Sequence, residues 1–139
     1  MCGRYTLTTS IARLVDLFAL SNRPNLPPRY NIAPTQEVAA VRVEAGGRML
    51  VRLRWGLIPA WARDLGQAKK LAAGMINARA ETLGEKPAFR TAYRRRRCLI
   101  LADGFYEWRS EGKVKQPLWI RLASGDAFAF AGLWENWSP

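Results

Sequence analysis

The sequence predicts an α+β domain built mainly from short antiparallel strands, on three observations. The last third is a series of apolar runs separated by tight-turn residues. An earlier pair of such runs flanks Ala45-Gly46-Gly47. Only two stretches carry helical character. In chain order, Ile11, Leu14, Val15 and Phe18 recur at i, i+3, i+4 and i+7 behind Thr9 and Ser10, which predicts an amphipathic helix over residues 9–20 with a hydroxyl cap. Residues 21–36, SNRPNLPPRYNIAPTQ, hold four prolines and predict an irregular crossing loop. EVAAVRVE and RMLVRLRW predict a hairpin, its second strand setting Met49, Val51, Leu53 and Trp55 against Leu50, Arg52 and Arg54. WGLIPAWARD predicts an aromatic loop, residues 65–78 show no clean period, and PAFRTAYRR centres a short helix over 86–95. CLILAD, GFYEWRS, QPLWIRLA and AFAFAGLW, divided by EGK and SGD, predict a meander. With the first hairpin it would form a β-rich sheet curled into an open barrel.

No repeat or linker divides the 139 residues, about half of them apolar, so one domain over 1–139 is expected. NWSP follows an apolar strand without a polar finish, and a further C-terminal segment is expected beyond it. No run reaches the ~18 apolar residues of a membrane span, and the start has no basic-then-apolar leader. A cytoplasmic monomer without membrane contact is expected.

Lys plus Arg number 22 against 11 Asp plus Glu, a net charge of +11 with no histidine. An excess of this size favours polyanions, because neutralised phosphates release condensed counterions. The six tryptophans add surfaces on which unpaired bases can stack, although most tryptophans in any domain are core. Cys2 and Cys98 read as reduced thiols, with Cys98 a small hydrophobe inside RCLILA. Two thiols without histidine do not make a zinc site, and no metal or cofactor is expected.

Cys2 stands behind a single methionine. Removal of Met1 would leave a free α-amine and a thiol on adjacent carbons, a 1,2-aminothiol. Its amine has a reference pKa of about 7.7–8.0, so near neutral pH a useful fraction is nucleophilic. Nitrogen attack on an aldehyde gives an imine, and the thiol can then close a five-membered thiazolidine. Cys98, its nitrogen held in an amide, cannot react this way.

MCGRY, RYNIAPTQ, RWGLIPAW, MINARAETL and ADGFYEW occur in that order. Five ordered blocks over nearly the whole chain make the sequence resemble the SRAP family, SOS-response-associated peptidase-like proteins that link covalently to abasic sites in single-stranded DNA. The resemblance implies a β-rich α+β fold with an open barrel-like core. It also implies Cys2 as nucleophile, Asn77 as the residue positioning sugar and nucleophile, and Glu107 as the carboxylate that promotes ring opening by proton transfer; burial between its neighbours Tyr106 and Trp108 would raise its pKa toward that task. Arg4 and Arg79 match phosphate-holding arginines, and Pro34 and Trp61 match loops bordering unpaired DNA. A family histidine, expected in an HDRMP-like C-terminal stretch, has no counterpart among these residues. The RRRR run at 94–97 matches no family site.

The function expected is covalent sensing and shielding of abasic sites in single-stranded DNA during the DNA-damage and SOS response, close to the nucleoid, with crosslinking or lyase-type activity. Two alternatives stand beside it. One is a cysteine peptidase, acting on its own N-terminus. The other is a non-catalytic single-strand binder whose affinity falls steeply with salt.

Overall fold

In a computed structural model, which describes residues 2–139, Tyr5–Leu7 forms the first strand (β1) and Ile11–Phe18 the first helix (α1). Ser10 caps α1 by accepting a hydrogen bond from the Arg13 N–H, and Ala19 ends it in the left-handed region at φ 51°. Leu14, fully buried, lies in one cluster with Ala39, Val41, Leu50 and Leu101. Burying such a leucine contributes about 2 kcal/mol.

The loop over 21–36 is not wholly irregular: Arg29–Ile32 forms a short strand, β2, between Pro28 and Pro34. Its ladder is short enough that neither proline has to donate to it. Glu37–Glu44 (β3) and Gly47–Arg54 (β4) make the predicted hairpin, paired from Glu37 opposite Arg54 to Glu44 opposite Gly47. Leu50 departs from the predicted alternation. It is buried although it shares its face with Arg52, because its cross-strand partner Val41 faces the same α1-containing cluster.

Residues 65–78, without periodicity in the sequence, contain helix α2, Leu65–Gly74, capped by Asp64, which accepts from Gln67 N–H. Two small residues four apart, Ala68 and Ala72, are all that α2 buries, too faint a stripe to register as a hydrophobic period. A 3₁₀ turn over Ala80–Thr82 follows, and the short helix α3 occupies Arg90–Arg95. The remaining strands are β5 (Arg97–Ala102), β6 (Gly104–Glu111), β7 (Val114–Ile120) and β8 (Phe128–Leu133).

These strands do not form one meander. Among the described residues they divide into two four-stranded antiparallel sheets, ordered β2-β1-β6-β7 and β4-β3-β5-β8, and neither closes into a barrel. β5 pairs with β3 and β8, while β6 pairs with β1 and β7, so the chain changes sheet at Asp103. Asp103-Gly104 at the crossing is a turn-type dipeptide, but it joins strands of different sheets rather than two neighbours in one hairpin. Tyr5 and Phe105 of one sheet meet Trp55, Phe128 and Phe130 from the other side, with ring centroids 5.5–6.4 Å apart, as tilted and edge-to-face pairs.

Two anchors hold the N-terminal strand in this frame. The buried Asp103 carboxylate accepts from the Thr6 hydroxyl (2.6 Å), from the N–H and hydroxyl of Thr8 (2.6 and 2.9 Å), and from the N–H and hydroxyl of Thr9 (2.8 and 3.0 Å). Gly104 leaves room for the Trp119 indole, which a Cβ there would meet at 2.1 Å, and that indole donates to Thr6 Oγ1 at 3.2 Å. On the far side, Asn22 donates to the Leu50 carbonyl and accepts its N–H, while the Ser21 N–H donates to the Arg48 carbonyl. The outer edge of β4 is thereby paired without another strand. Among the described residues no helix is long and apolar enough to cross a membrane.

Candidate functional site

Cys2, just before β1, lines a cavity of about 470 Å³ bounded by Tyr5, by residues of β3, β4, β5 and β8, and by the segments over 55–58, 75–78 and 134–137. β1 positions it: Arg4 accepts from the Tyr106 N–H at 2.9 Å, Tyr5 is in register with Phe105, and the Cys2 thiol donates to the Arg4 carbonyl at 3.2 Å. Asn77 also lines the cavity, and its side-chain amide donates to the Cys2 carbonyl at 2.8 Å. The structure therefore brings Cys2 and Asn77 together across 75 residues of sequence.

Trp55 and Gly56, which the sequence reading passed over in favour of Trp61, set the position of Asn77. The Trp55 indole stacks near Tyr5 and donates to the Ile76 carbonyl at 2.7 Å, directly before Asn77. Gly56, at φ +116°, lets the end of α2 approach so closely that a Cβ there would sit 2.8 Å from the Ala72 carbonyl oxygen. The signal for both was present in RWGLIPAW, where a Trp-Gly pair ends a strand.

Glu107 lies on β6, half-buried, and its charge acts on the Cys2 thiol. Tyr106 and Trp108 do not shelter it, because residues adjacent along a strand point to opposite faces. Glu107 shares its face with Phe105 and stands opposite Leu118 on β7. Burial, the largest influence, pushes the Cys2 thiol above its ordinary range; hydrogen bonding at the Arg4 backbone works against this and the Glu107 carboxylate adds to it. The thiol is thus held as S–H at neutral pH.

Glu107 and the remaining expected site residues lie outside the cavity wall, which holds only Cys2 and Asn77 of them. Arg4 is exposed and donates to Asn31 Oδ1 at 3.1 Å. Arg79 is exposed at the start of the 3₁₀ turn, after Asn77 and Ala78. Pro34 is half-buried in the β2–β3 loop, whose next residue, Thr35, donates its N–H to the Trp55 carbonyl. Trp61 is 53% exposed. Gly3 is not required by packing, since a Cβ there would meet nothing within 4 Å. The expected removal of Met1 falls on a residue outside the described ones.

The rest of the wall is mostly apolar, including Val38, Leu53, Ile58, Ile100 and Phe130. Tyr5 also lines it, with a buried hydroxyl that has no hydrogen-bond partner among the described residues. Among the described residues, no three His, Cys, Asp or Glu side chains are grouped so as to hold a metal ion.

Comparison with known proteins places these features in context. The model of a family described as "SOS response associated peptidase (SRAP)" matches residues 1–139. The chain is 46% identical to the abasic site processing protein YoaM of Bacillus subtilis, over 99% of this chain and 61% of that protein. It is 37% identical to the abasic site processing protein HMCES of Xenopus tropicalis, over 81% of this chain and 41% of that protein. Among solved structures, a protein from Bacteroides thetaiotaomicron superposes with a TM-score of 0.86 at 25% identity, covering 98% of this chain and 61% of its own. One from Bordetella bronchiseptica superposes with a TM-score of 0.80 at 27% identity, covering 98% and 64%. The chain spans about three fifths of the length of YoaM and of both solved structures.

Proposed function

The chain belongs to the SRAP family, and from that premise we propose that it processes abasic sites in single-stranded DNA by capturing them covalently through Cys2. The carrying observation is the placement of Cys2 in the cavity wall beside Asn77, which holds its carbonyl, with its thiol under the influence of Glu107.

An abasic sugar is mostly a closed hemiacetal, and proton transfer by Glu107 to the ring oxygen opens it to the aldehyde. With Met1 removed, the Cys2 α-amine attacks the aldehyde carbon. A C–N bond forms, water leaves, and an imine results. The Cys2 S–H then adds across the C=N bond: sulfur bonds to carbon, the proton passes to nitrogen, and a thiazolidine closes. The Asn77 hydrogen bond fixes the Cys2 backbone, so that amine and thiol approach the same carbon. Arg4 and Arg79 attract the flanking phosphates, and Pro34 and Trp61 border the unpaired strand. The reaction shields the aldehyde from strand cleavage and belongs to the DNA-damage response at the nucleoid.

Peptide hydrolysis is the weaker alternative. A peptidase cysteine works as a thiolate with a lowered pKa, whereas here burial raises the thiol. A denaturing gel with abasic single-stranded DNA tests the proposal. The parent chain should give a band that survives heat and detergent, and Cys2→Ser a species trapped only by borohydride. An undiminished band from Cys2→Ala overturns it.

A further inference from the structure

Arg90, Thr91, Arg94 and Arg95 line a separate concavity of about 150 Å³ on the outer side of α3. These are two i,i+4 pairs, 90 with 94 and 91 with 95, so one helical turn presents three guanidiniums and a hydroxyl to the same hollow. Among the described residues no carboxylate stands within ion-pair distance of Arg90, Arg94 or Arg95, whereas Arg96 next to them is paired with Glu135 at 2.5 Å. Like charges at i,i+4 destabilise a helix by a few tenths of a kcal/mol. Arg94 and Arg95 recover part of this at the helix C-terminus, but Arg90 stands in the first turn, where a positive charge is unfavourable. Fold stability thus gives no account of the cluster. Three guanidinium forks with a hydroxyl between them are a donor set for the oxygens of a phosphate.

The other side of the same helix looks inward. Ala92 is buried, and Phe89, immediately before α3, lines the cavity that holds Cys2. The arginine hollow is therefore about one helix diameter, ~10 Å, from that cavity. Resting on the proposed reading of the Cys2 site, we infer that the outer face of α3 is a second nucleic-acid site, a phosphodiester clamp formed by Arg90, Thr91, Arg94 and Arg95. It holds the backbone of the strand whose abasic nucleotide enters the cavity.

The test measures non-covalent binding of the parent chain to undamaged single-stranded oligonucleotides of about 6 and 20 nucleotides at several salt concentrations, alongside crosslinking to abasic ones. Arg90→Gln/Arg94→Gln/Arg95→Gln should lower the slope of log affinity against log salt by about 2, three contacts at ~0.7 each. It should weaken binding of the long strand on the order of tenfold at low salt. The corresponding triple Arg→Lys variant should keep the slope. Removing three charges elsewhere, by Arg23→Gln/Lys113→Gln/Lys115→Gln, should change it by less than half as much, and thermal unfolding of each variant checks the fold. Loss of long-strand binding in the Gln variant, with crosslinking absent even in the parent chain, supports the clamp and removes the covalent reading instead. Unchanged slope and affinity in a folded Gln variant overturns the inference. So does a Gln variant that loses binding only to anionic lipid vesicles, or slope losses of equal size in the two charge-removal variants.

Discussion

Asp103→Asn tests the anchor that places Cys2. Oδ2 of Asp103 accepts four hydrogen bonds, from the N–H and hydroxyl of Thr8 and of Thr9, and Oδ1 accepts a fifth from Thr6. An asparagine has one acceptor oxygen. If it faces Thr8 and Thr9, its amide replaces an acceptor opposite Thr6; if it faces Thr6, two backbone N–H groups lose theirs. Hydrogen bonds to a charged group contribute about 1.5–3 kcal/mol each against about 0.5–1.5 for neutral pairs. Allowing for strong non-additivity within one network, the loss comes to about 2–4 kcal/mol. At a few degrees per kcal/mol for a chain of this size, Tm should fall by about 10 °C. Burial pushes the Asp103 carboxyl up, but the hydrogen bonds from Thr6, Thr8 and Thr9 outweigh it and the net shift is downward. A carboxyl depressed in the folded state stabilises above its unfolded pKa of about 3.9, and that contribution disappears as pH falls through the folded value. The gap between parent and Asn variant should therefore be full at pH 6 and narrow steadily below pH ~4. Urea unfolding at pH 6, 4 and 3 measures it. A gap under about 0.5 kcal/mol at pH 6, or one that does not narrow in acid, refutes the assignment of Asp103 as the anchor.

Other outcomes follow from the same geometry. Gly104→Ala should cost about 1–3 kcal/mol and alter tryptophan fluorescence, because its Cβ would overlap the Trp119 indole, whereas Gly3→Ala should leave urea unfolding unchanged. Asn77→Ala frees the Cys2 carbonyl and should slow crosslinking about fivefold, the equivalent of one hydrogen bond of ~1 kcal/mol, with little change in Tm. Burial pushes the Cys98 thiol up to about 11, so alkylation at pH 8 should modify half-buried Cys2 first and reach Cys98 only on unfolding, as peptide mapping would show.

β1 was not marked as a strand and β2 lay in the stretch expected to be an irregular loop, but β3 to β8 were legible because turn chemistry bounds most of them, the hairpin at Ala45-Gly46-Gly47 most plainly. Their pairing was not. The change of sheet at Asp103 sits on an Asp-Gly pair that reads as an ordinary turn, and one of the two partners of β1 lies at Phe105, far beyond any local window. α2 escaped because two alanines seat it, with Gly56 making the space. Of the site, Cys2 could be found from its position and its chemistry. Asn77 and Glu107 came only from matching ordered motifs, since an asparagine after an isoleucine, or a glutamate on a strand, carries no local sign of a distant neighbour. The role of Trp55 depends on a hydrogen bond to a carbonyl 21 residues away, which no spacing rule reports.

The pairing of β1 with β6 also sets a schedule for synthesis. The N-terminal strand has no completed place until Gly104 and Phe105 have been made. At 5–20 residues per second, that leaves the terminus without its central partner for about 5–20 s. The proposed removal of Met1 falls in this window, before β6 is in place beside β1. The long-range topology thus separates two events in time: synthesis of the N-terminal strand, and its docking, with Cys2 against Asn77, about a hundred residues later.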